Sequence, residues 1–334
     1  MIKTGKILLL ILASVIFHSC FKKDAMVPAH PRGDVKTDTI GMTENYLYQL
    51  YFSLDSGKVI SSNVKTSSDL GFECSNTGWH VILNTSDFMK VADLGLVTFG
   101  MAHDTVGAKW KFDKSDGNPD SIAVGQWFTL AGKDTVSNNH VFAADRGLDE
   151  LGHALGIYQI IFDSLTNRTY YFRYAPMKGG TVSSGTVIKD PNVSFIYFSL
   201  KSNTVMHLEP PKPLFDLFFT QYTTLLFTDA GIPYPYLVTG VLSNRYLVRV
   251  ASDTLHDFSA ITRETAQSLT YSTNLDMIGY DWKYYSFTSS SYTIRLNRNY
   301  LIQNVAGFYY KLRFIGFYNR NGEKGFPVIE YMKL

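Results

Sequence analysis

The run YYKLRFIGF at residues 309–317 shows most clearly how this chain folds. Aromatic and aliphatic side chains take every second position from Tyr310 to Phe314, with a lysine and an arginine between them. Successive side chains of a strand point to opposite faces, so this alternation predicts a strand with one apolar face. The same aromatic-rich pattern occurs at residues 48–54, 193–200, 246–250 and 292–296.

Helical spacing is rare along the chain. The best helical windows are residues 86–94 and 260–269, and both are short. Turn formers separate the strand-like runs, as in Asp55-Ser56-Gly57 and in the segment 319–322. We therefore predict an all-β fold of predominantly antiparallel sheets with few short helices.

Three sequence landmarks recur in the same order in the two halves of the chain, which predicts an internal duplication. The matching pairs are residues 51–54 and 197–200 (both YFSL), 69–72 (DLGF) and 216–219 (DLFF), and 171–174 (YFRY) and 311–314 (KLRF). The dipeptide Pro191-Asn192 is the natural junction. We predict two tandem β domains, copy 1 at residues 45–191 and copy 2 at residues 192–334.

The N-terminus has the features of a bacterial lipoprotein signal peptide. Lys3 and Lys6 supply a basic region, residues 7–17 are apolar, and Ser19 is the small residue before the expected cleavage point. The next residue, Cys20, would be lipidated and would become the first residue of the mature chain. The alternative is a plain secretory signal with a chance cysteine. The apolar run is too short for a confident transmembrane helix.

Processing would leave a near-neutral chain with a lipid anchor. Removing the signal peptide, residues 1–19, takes away two lysines and no acid, so the formal charge falls from +2 to 0. We therefore expect no nucleic-acid partner. Residues 20–44 contain prolines, glycines and small polar residues and are predicted to be a flexible tether. With Cys20 lipidated, Cys74 has no disulfide partner and is predicted to be a small core residue.

Several motifs occur together in one known family. They are Tyr-Phe-Ser-Leu at 51–54 with Gly-Lys-Val at 57–59, Asp-Leu-Gly-Phe at 69–72, IGYDWK at 278–283 leading into 292–296, and the strand at 309–317 with NGEKG at 321–325. This set resembles the HmuY family, haem-binding lipoproteins of Bacteroidota. The resemblance covers roughly residues 46–334, as two copies. It implies an all-β fold that holds one haem between two loops through two His or two Met side chains, for transfer to an outer-membrane receptor.

The resemblance implies axial ligands that this sequence supplies only in part. His256 stands at about the family's distance upstream of Trp282 and is a candidate ligand. The second family histidine would fall in Phe-Thr-Ser-Ser-Ser at 287–291, which contains no donor for haem iron. The other candidate donors are Met101 and His103 in one turn, and the adjacent Met206 and His207. For each of them a surface histidine or a gap-filling methionine is the competing interpretation.

Catalytic motifs are absent, and we predict that the chain is not an enzyme. His153 lacks the second histidine of a zinc-binding His-Glu-x-x-His helix. Asp69 and Asp216 recur in the repeat, and an acid near a strand start is more often bonded to the backbone than catalytic. We expect no metal site beyond haem iron.

The run Ile-Pro-Tyr-Pro-Tyr at 232–236 is a candidate binding loop. Its prolines would stiffen it and expose Tyr234 and Tyr236 for stacking on a flat ligand, a sugar or a partner chain. The alternative is a turn that packs both tyrosines on the core. Together these features predict a lipid-anchored outer-membrane protein, exposed at the cell surface, that captures haem or porphyrin. The alternative function is binding of a glycan, a peptide or a protein partner.

Overall fold

The computed structural model describes residues 34–131 and 134–334, which are built almost entirely of β-strands. In the first half of the chain the strands are β1 Lys36–Thr39, β2 Tyr48–Ser53, β3 Lys58–Val64, β4 Leu70–Glu73, β5 Val81–Leu83, β6 Lys90–Asp93, β7 Phe128–Ala131, β8 Asp134–Ser137, β9 Phe142–Asp145, β10 Ile157–Thr166, β11 Thr169–Pro176 and β12 Ser183–Ile188. In the second half they are β13 Phe195–Ser199, β14 Thr204–Met206, β15 Leu217–Phe227, β16 Pro233–Ser243, β17 Arg249–Asp253, β18 Lys283–Ser286, β19 Ser291–Ile294, β20 Asn299–Gln303, β21 Tyr309–Tyr318 and β22 Lys324–Lys333.

The strands form four antiparallel sheets and two separate hairpins. Sheet I has the order β12-β11-β10-β9-β6, and sheet II has the order β14-β13-β4-β5. Sheet III has the order β16-β15-β2-β3, and sheet IV has the order β1-β22-β21-β20-β17. The hairpins are β7–β8 and β18–β19. The predicted all-β class with predominantly antiparallel pairing is confirmed.

The two helical predictions have different outcomes. The window 260–269 contains helix α1, Arg263–Ser268, which begins after a Thr262 cap. The window 86–94 is not an α-helix, and this prediction was wrong. A 3-10 turn, Thr85–Asp87, ends at Phe88, whose φ of 64° is left-handed, and strand β6 follows. Met89 and Val91 are then buried at alternate positions of an extended chain.

Two apolar cores lie between the sheets and define two β-sandwiches. Sandwich 1 packs sheet I on sheet II, where Phe72 stacks on Phe172 with ring centroids 4.9 Å apart. Sandwich 2 packs sheet III on sheet IV, and in its core Trp282 stacks on Phe314 with ring centroids 3.9 Å apart. Such ring pairs contribute about 0.5–1.5 kcal/mol each beyond the burial of their area. Cys74 is buried in the first core, as predicted.

The strand pairing crosses the junction that the repeat predicts. Hairpin β2–β3 pairs with β15, with Phe52 opposite Leu217. Hairpin β13–β14 pairs with β4, with Phe195 opposite Glu73. Sandwich 1 therefore contains β4–β6 and β9–β14, and sandwich 2 contains β1–β3 together with β15–β17 and β20–β22. The packed units do not coincide with residues 45–191 and 192–334, and the duplication itself stays a prediction.

The predicted tether is too long at its C-terminal end. Lys36–Thr39 form strand β1, which pairs with β22 at the edge of sheet IV. Ile40 and Met42 are buried in the second core. These contacts correct the boundary of the tether at residue 44, because apolar side chains that pack in a core cannot belong to a flexible linker. In the described ranges 34–131 and 134–334, no helix has the length and apolar character needed to cross a membrane.

Candidate functional site

Of the predicted haem ligands, His256 has the best-prepared geometry. It lies in the loop after β17, and its side chain is 47% exposed. Its Nδ1 is 2.8 Å from Oδ2 of Asp253, a carboxylate that is buried at the end of the strand. Metal-binding histidines commonly have one ring nitrogen held by a carboxylate in this way, because the contact fixes the ring and leaves Nε2 for the metal.

A second contact ties the His256 loop to sheet IV. The side-chain amide of Asn299, the first residue of β20, donates to the main-chain carbonyl of His256 at 2.8 Å. Residue 299 follows hairpin β18–β19 after a short turn. The histidine loop is therefore fixed to the strand into which that hairpin leads.

The other candidate donors have less favourable surroundings. The Nε2 of His103 is 2.8 Å from the carbonyl of Thr98, so that nitrogen is already engaged. Met101 is exposed in the same turn. Met206 is half-buried at the end of edge strand β14, 3.6 Å from the Thr204 hydroxyl, and His207 follows it on the surface.

In the described part of the chain these donors lie in three separate segments. Met101 and His103 share a turn, and Met206 and His207 are adjacent. Among the described residues, no hydrogen bond or ion pair joins these two pairs to each other or to His256. Among the described residues there is also no cluster of three or more His, Cys, Asp or Glu side chains suited to a metal ion. The paired axial ligation that the resemblance implies thus has only one well-prepared member here.

Aromatic side chains collect on two hairpins near sheet III. Phe227, Tyr234 and Tyr236 lie exposed near the end of hairpin β15–β16. Tyr234 and Tyr236 lie two residues apart on strand β16, so they share a face, and their rings meet edge to face at 6.3 Å. Of the two alternatives, the structure exposes both tyrosines, but they lie on an edge strand rather than in a loop.

The β18–β19 hairpin provides the second part of this aromatic set. Tyr285 contacts Phe287 and Tyr292, each with ring centroids 5.3 Å apart, and Phe287 is 89% exposed. Burial raises the pKa of Tyr292, and the nearby Tyr236 adds to this shift. A hydrogen bond from Lys283 on β18 to Thr239 on β16 joins the two hairpins. We call Phe227, Tyr234, Tyr236, Tyr285, Phe287 and Tyr292 the aromatic hairpin surface.

Lys283 is a buried residue of β18 that contacts the β15–β16 hairpin. Its ammonium donates to the carbonyl of Thr239 on β16 at 2.5 Å and lies 4.1 Å from the ring centroid of Trp282. Burial lowers the pKa of Lys283 to about 7. The sequence analysis did not predict the aromatic residues of the β18–β19 hairpin as part of the site, because it considered residues 287–291 only as a source of iron donors. The aromatic spacing of Tyr285, Phe287 and Tyr292 was a usable signal.

The recurring aspartates are structural, as predicted. Oδ2 of Asp69 accepts from the backbone N–H of Leu200 at 2.6 Å, and Oδ2 of Asp216 accepts from that of Leu54 at 2.7 Å. Each contact spans the predicted junction. His153 is exposed and lies 3.0 Å from Asp149 in a turn. Cys20 lies outside the described residues.

Comparison with known proteins gives one family. The model of the HmuY protein family matches residues 45–331, most of the chain. Among solved structures, apo PinO from Porphyromonas gingivitis is 10% identical, with a TM-score of 0.30, over 90% of this chain and 98% of that one. The apo HmuY analog of Tannerella forsythia is also 10% identical, with a TM-score of 0.26, over 91% and 97%. No curated protein matches the sequence.

Proposed function

The chain belongs to the HmuY family, and from this membership we propose that it binds haem or a related porphyrin at the cell envelope. Family membership supports a haem-binding type of function. The observation in this chain that carries the proposal is His256, whose Nδ1 is held by buried Asp253. We assign His256 the role of an axial ligand through Nε2, and no catalytic step is part of the proposed function.

The aromatic hairpin surface is the proposed contact for the porphyrin ring. A porphyrin is flat and largely apolar, and ligand sites for such molecules are lined mainly by apolar and aromatic side chains. Tyr236 is 52% exposed and Phe287 almost fully so, which leaves their rings free to cover such a ligand. This contact does not require iron. We therefore expect both haem and metal-free protoporphyrin to bind.

The first experiment separates iron ligation from ring contact. Haem titrated into the purified protein should give a saturable Soret band, and His256→Ala should change that spectrum while leaving metal-free protoporphyrin binding unchanged. His153→Ala is the matched control, because this exposed histidine is also held by a carboxylate. Absence of saturable haem binding would reject the proposed function. An unchanged haem spectrum in His256→Ala would remove that residue from the site.

A second set of variants tests the aromatic hairpin surface. Tyr236→Ala combined with Phe287→Ala should weaken protoporphyrin binding about tenfold, since each ring contact contributes roughly 0.5–1.5 kcal/mol. Tyr171→Ala, an exposed tyrosine on sheet I, is the control and should leave the affinity unchanged. If porphyrins do not bind at all, the same exposed rings favour the alternative function, binding of a glycan, a peptide or a protein partner.

The location is a further part of the proposal. We propose that Cys20 carries lipid, that the chain is held in the outer membrane at the cell surface, and that it delivers its ligand to an outer-membrane receptor. Metabolic labelling with an alkyne fatty acid should mark the wild-type protein and Cys74→Ser, but not Cys20→Ser. Protease treatment of intact cells tests the membrane face. Labelling of Cys20→Ser would contradict the anchor.

A further inference from the structure

Two neighbouring cavities lie between the sandwiches, and neither is lined by a residue of the aromatic hairpin surface. The first has a volume of about 130 Å³ and is lined from both sides, by Tyr51 and Phe218 of sandwich 2 and by Tyr197 of sandwich 1. The second has a volume of about 230 Å³. Gly117, Ile122 and Arg245 line both cavities. Ligand sites occur preferentially at interfaces between packed units, so this position merits a chemical reading.

Arg245 is the common wall of the two cavities. It follows strand β16 of sandwich 2 and reaches across to sandwich 1, where its Nη1 donates to the carbonyl of Gly117 at 3.0 Å. Its guanidinium lies 5.1 Å from the ring centroid of Phe195. Among residues 34–131 and 134–334, no carboxylate lies within 4 Å of it. The remaining guanidinium N–H groups thus make no direct ion pair.

The surroundings of Arg245 affect how strongly its guanidinium would attract an anion. The Arg245 side chain is exposed, but the protein around its guanidinium removes part of the hydration, which lowers the pKa of Arg245. An arginine side chain nevertheless stays charged in proteins. Glu73, Asp113 and Glu209 act on Arg245 from beyond 4 Å, and Asp113 and Glu209 already accept backbone N–H bonds. A partly desolvated cation gains more from an anion in direct contact than a cation on the open surface does.

Lys212 is a second cation on the larger cavity. Its Nζ donates to the carbonyl of Pro191 at 3.1 Å and lies 5.8 Å from the ring centroid of Tyr246. It too has no carboxylate within 4 Å in the described ranges. The one carboxylate that lines this cavity, Glu73, is bound to His80 and to the hydroxyl of Ser75. Among the described residues, the wall therefore presents two cations without a direct ion pair and one engaged anion.

We propose that the 230 Å³ cavity between the sandwiches binds a small ligand through an oxyanion, a carboxylate or a phosphate, held by Arg245 and Lys212. Arginine matches these groups because its planar N–H groups can donate two parallel hydrogen bonds. The exposed ring of Tyr246 provides an apolar contact for the body of the ligand. This site shares no residue with the aromatic hairpin surface or with His256, so it is independent of the proposed porphyrin site.

The test is calorimetric titration of the detergent-solubilised full chain at low ionic strength, with sodium benzoate and inorganic phosphate as separate probes. We expect saturable binding of at least one probe, weakened at least tenfold by Arg245→Gln and several-fold by Lys212→Gln. Arg249→Gln, an exposed arginine on β17, is the matched control and should bind as the wild type does. Benzamide, the neutral analogue of benzoate, should not bind.

The outcomes separate the two oxyanion chemistries and the two sites. Preference for benzoate indicates a carboxylate ligand, and preference for phosphate indicates a phosphate ligand. No saturable heat from either probe in the millimolar range, or equal affinity in Arg245→Gln and wild type, would overturn the proposal. Thermal melting checks that each variant is folded. If Arg245→Gln is unfolded, Arg245→Lys replaces it in the test. This variant keeps the charge but loses the paired N–H groups, so it should bind more weakly than the wild type. Haem binding should be unchanged in every variant.

Discussion

At the residue scale, buried charges are placed where they organise the backbone. Asp69 is the clearest case, because its two oxygens have separate partners. Oδ1 accepts from Nε of Arg146 at 2.6 Å, and Oδ2 accepts from the backbone of Leu200. Both side chains of the ion pair are almost fully buried. A buried pair of this kind is weak evidence for net stabilisation, but removing one member leaves an uncompensated charge in the interior.

Replacing Asp69 with Ala should therefore lower the free energy of unfolding by about 3–5 kcal/mol. Asp163→Ala is the matched control. Its carboxylate pairs with Arg173 on the surface, where such pairs contribute about 0–1 kcal/mol. Urea denaturation measures both. Equal losses in the two variants would show that the burial of the Asp69 pair does not matter.

Lys283 gives a pH prediction. Its folded pKa of about 7 lies below the value of about 10.4 for a free lysine. Below pH 7 the side chain is charged in both states, so its burial cost is present in full. Between about pH 7 and 10 the folded state loses the proton first, and stability rises with pH. Lys283→Met should therefore be more stable than wild type at pH 6, by about 1–2 kcal/mol after the lost cation–π contact is subtracted.

The advantage of Lys283→Met should shrink as pH approaches 10. Thermal melting at pH 6, 8 and 10 measures this, with Lys58→Met, an exposed lysine on β3, as the control. The idea fails if the methionine variant differs from wild type by the same amount at every pH.

At the element scale, the β18–β19 hairpin is positioned by a close approach of two backbones. Edge strand β16 and Gly279 exchange backbone hydrogen bonds through Val241, at 2.9 and 3.0 Å. A Cβ on Gly240 would overlap the carbonyl of Gly279. Gly240 therefore lets the segment around Gly279, just before β18, approach the edge of sheet III. That segment leads into the hairpin that carries half of the aromatic hairpin surface.

Gly240→Ala should cost about 1–3 kcal/mol of stability, because the clash is with backbone that cannot rotate away. It should also weaken porphyrin binding by displacing the β18–β19 hairpin. Gly41→Ala is the control, since its Cβ would meet Phe326 at an ordinary 3.5 Å. Denaturation and protoporphyrin titration of both variants provide the comparison. Similar behaviour of the two alanines would show that the approach of β16 to Gly279 is not tight.

At the scale of the whole molecule, the chain forms two sandwiches that share hairpins across the predicted junction. β13–β14 lies after residue 191 but completes sandwich 1, and β2–β3 lies before it but completes sandwich 2. One sandwich is thus nearly continuous in sequence, while the other is assembled from both ends of the chain. An unpaired strand edge exposes backbone groups that promote aggregation. A chain boundary that leaves every strand paired therefore differs from the predicted junction at residues 191–192.

Expression of two fragments tests this arrangement. Residues 65–209 contain all strands of sandwich 1 and should give a soluble, cooperatively unfolding product. Residues 192–334 lack β2 and β4, so β15 and β13 each keep one strand partner and leave the other edge unpaired, and this fragment should aggregate. Solubility and circular dichroism melting are the measurements. A well-folded 192–334 fragment would instead support two independent tandem domains.

Local pattern was sufficient where burial alternates along one strand. Residues 309–317 form β21 within Tyr309–Tyr318, and the burial of Cys74 followed from its apolar neighbours. The window 86–94 was misread because its apolar spacing also fits a helix. Phe88, whose left-handed backbone ends the 3-10 turn, contacts Phe112, and the carbonyl of the preceding residue accepts from the N–H of Leu148, so distant residues pack against this break. Likewise, nothing local to Arg245 indicates that it crosses between two packed units.

The sequence by itself determined the all-β class, most strands and the family, because alternation and turn residues are local properties of the chain. It left open whether Tyr234 and Tyr236 are exposed or packed on the core, and the structure exposes both. Only the tertiary structure decided which strands pair, since an alternating strand can add to any compatible edge and the choice depends on contacts more than a hundred residues apart. The aromatic hairpin surface, the Asp253–His256 contact and the cavity between the sandwiches all follow from that pairing.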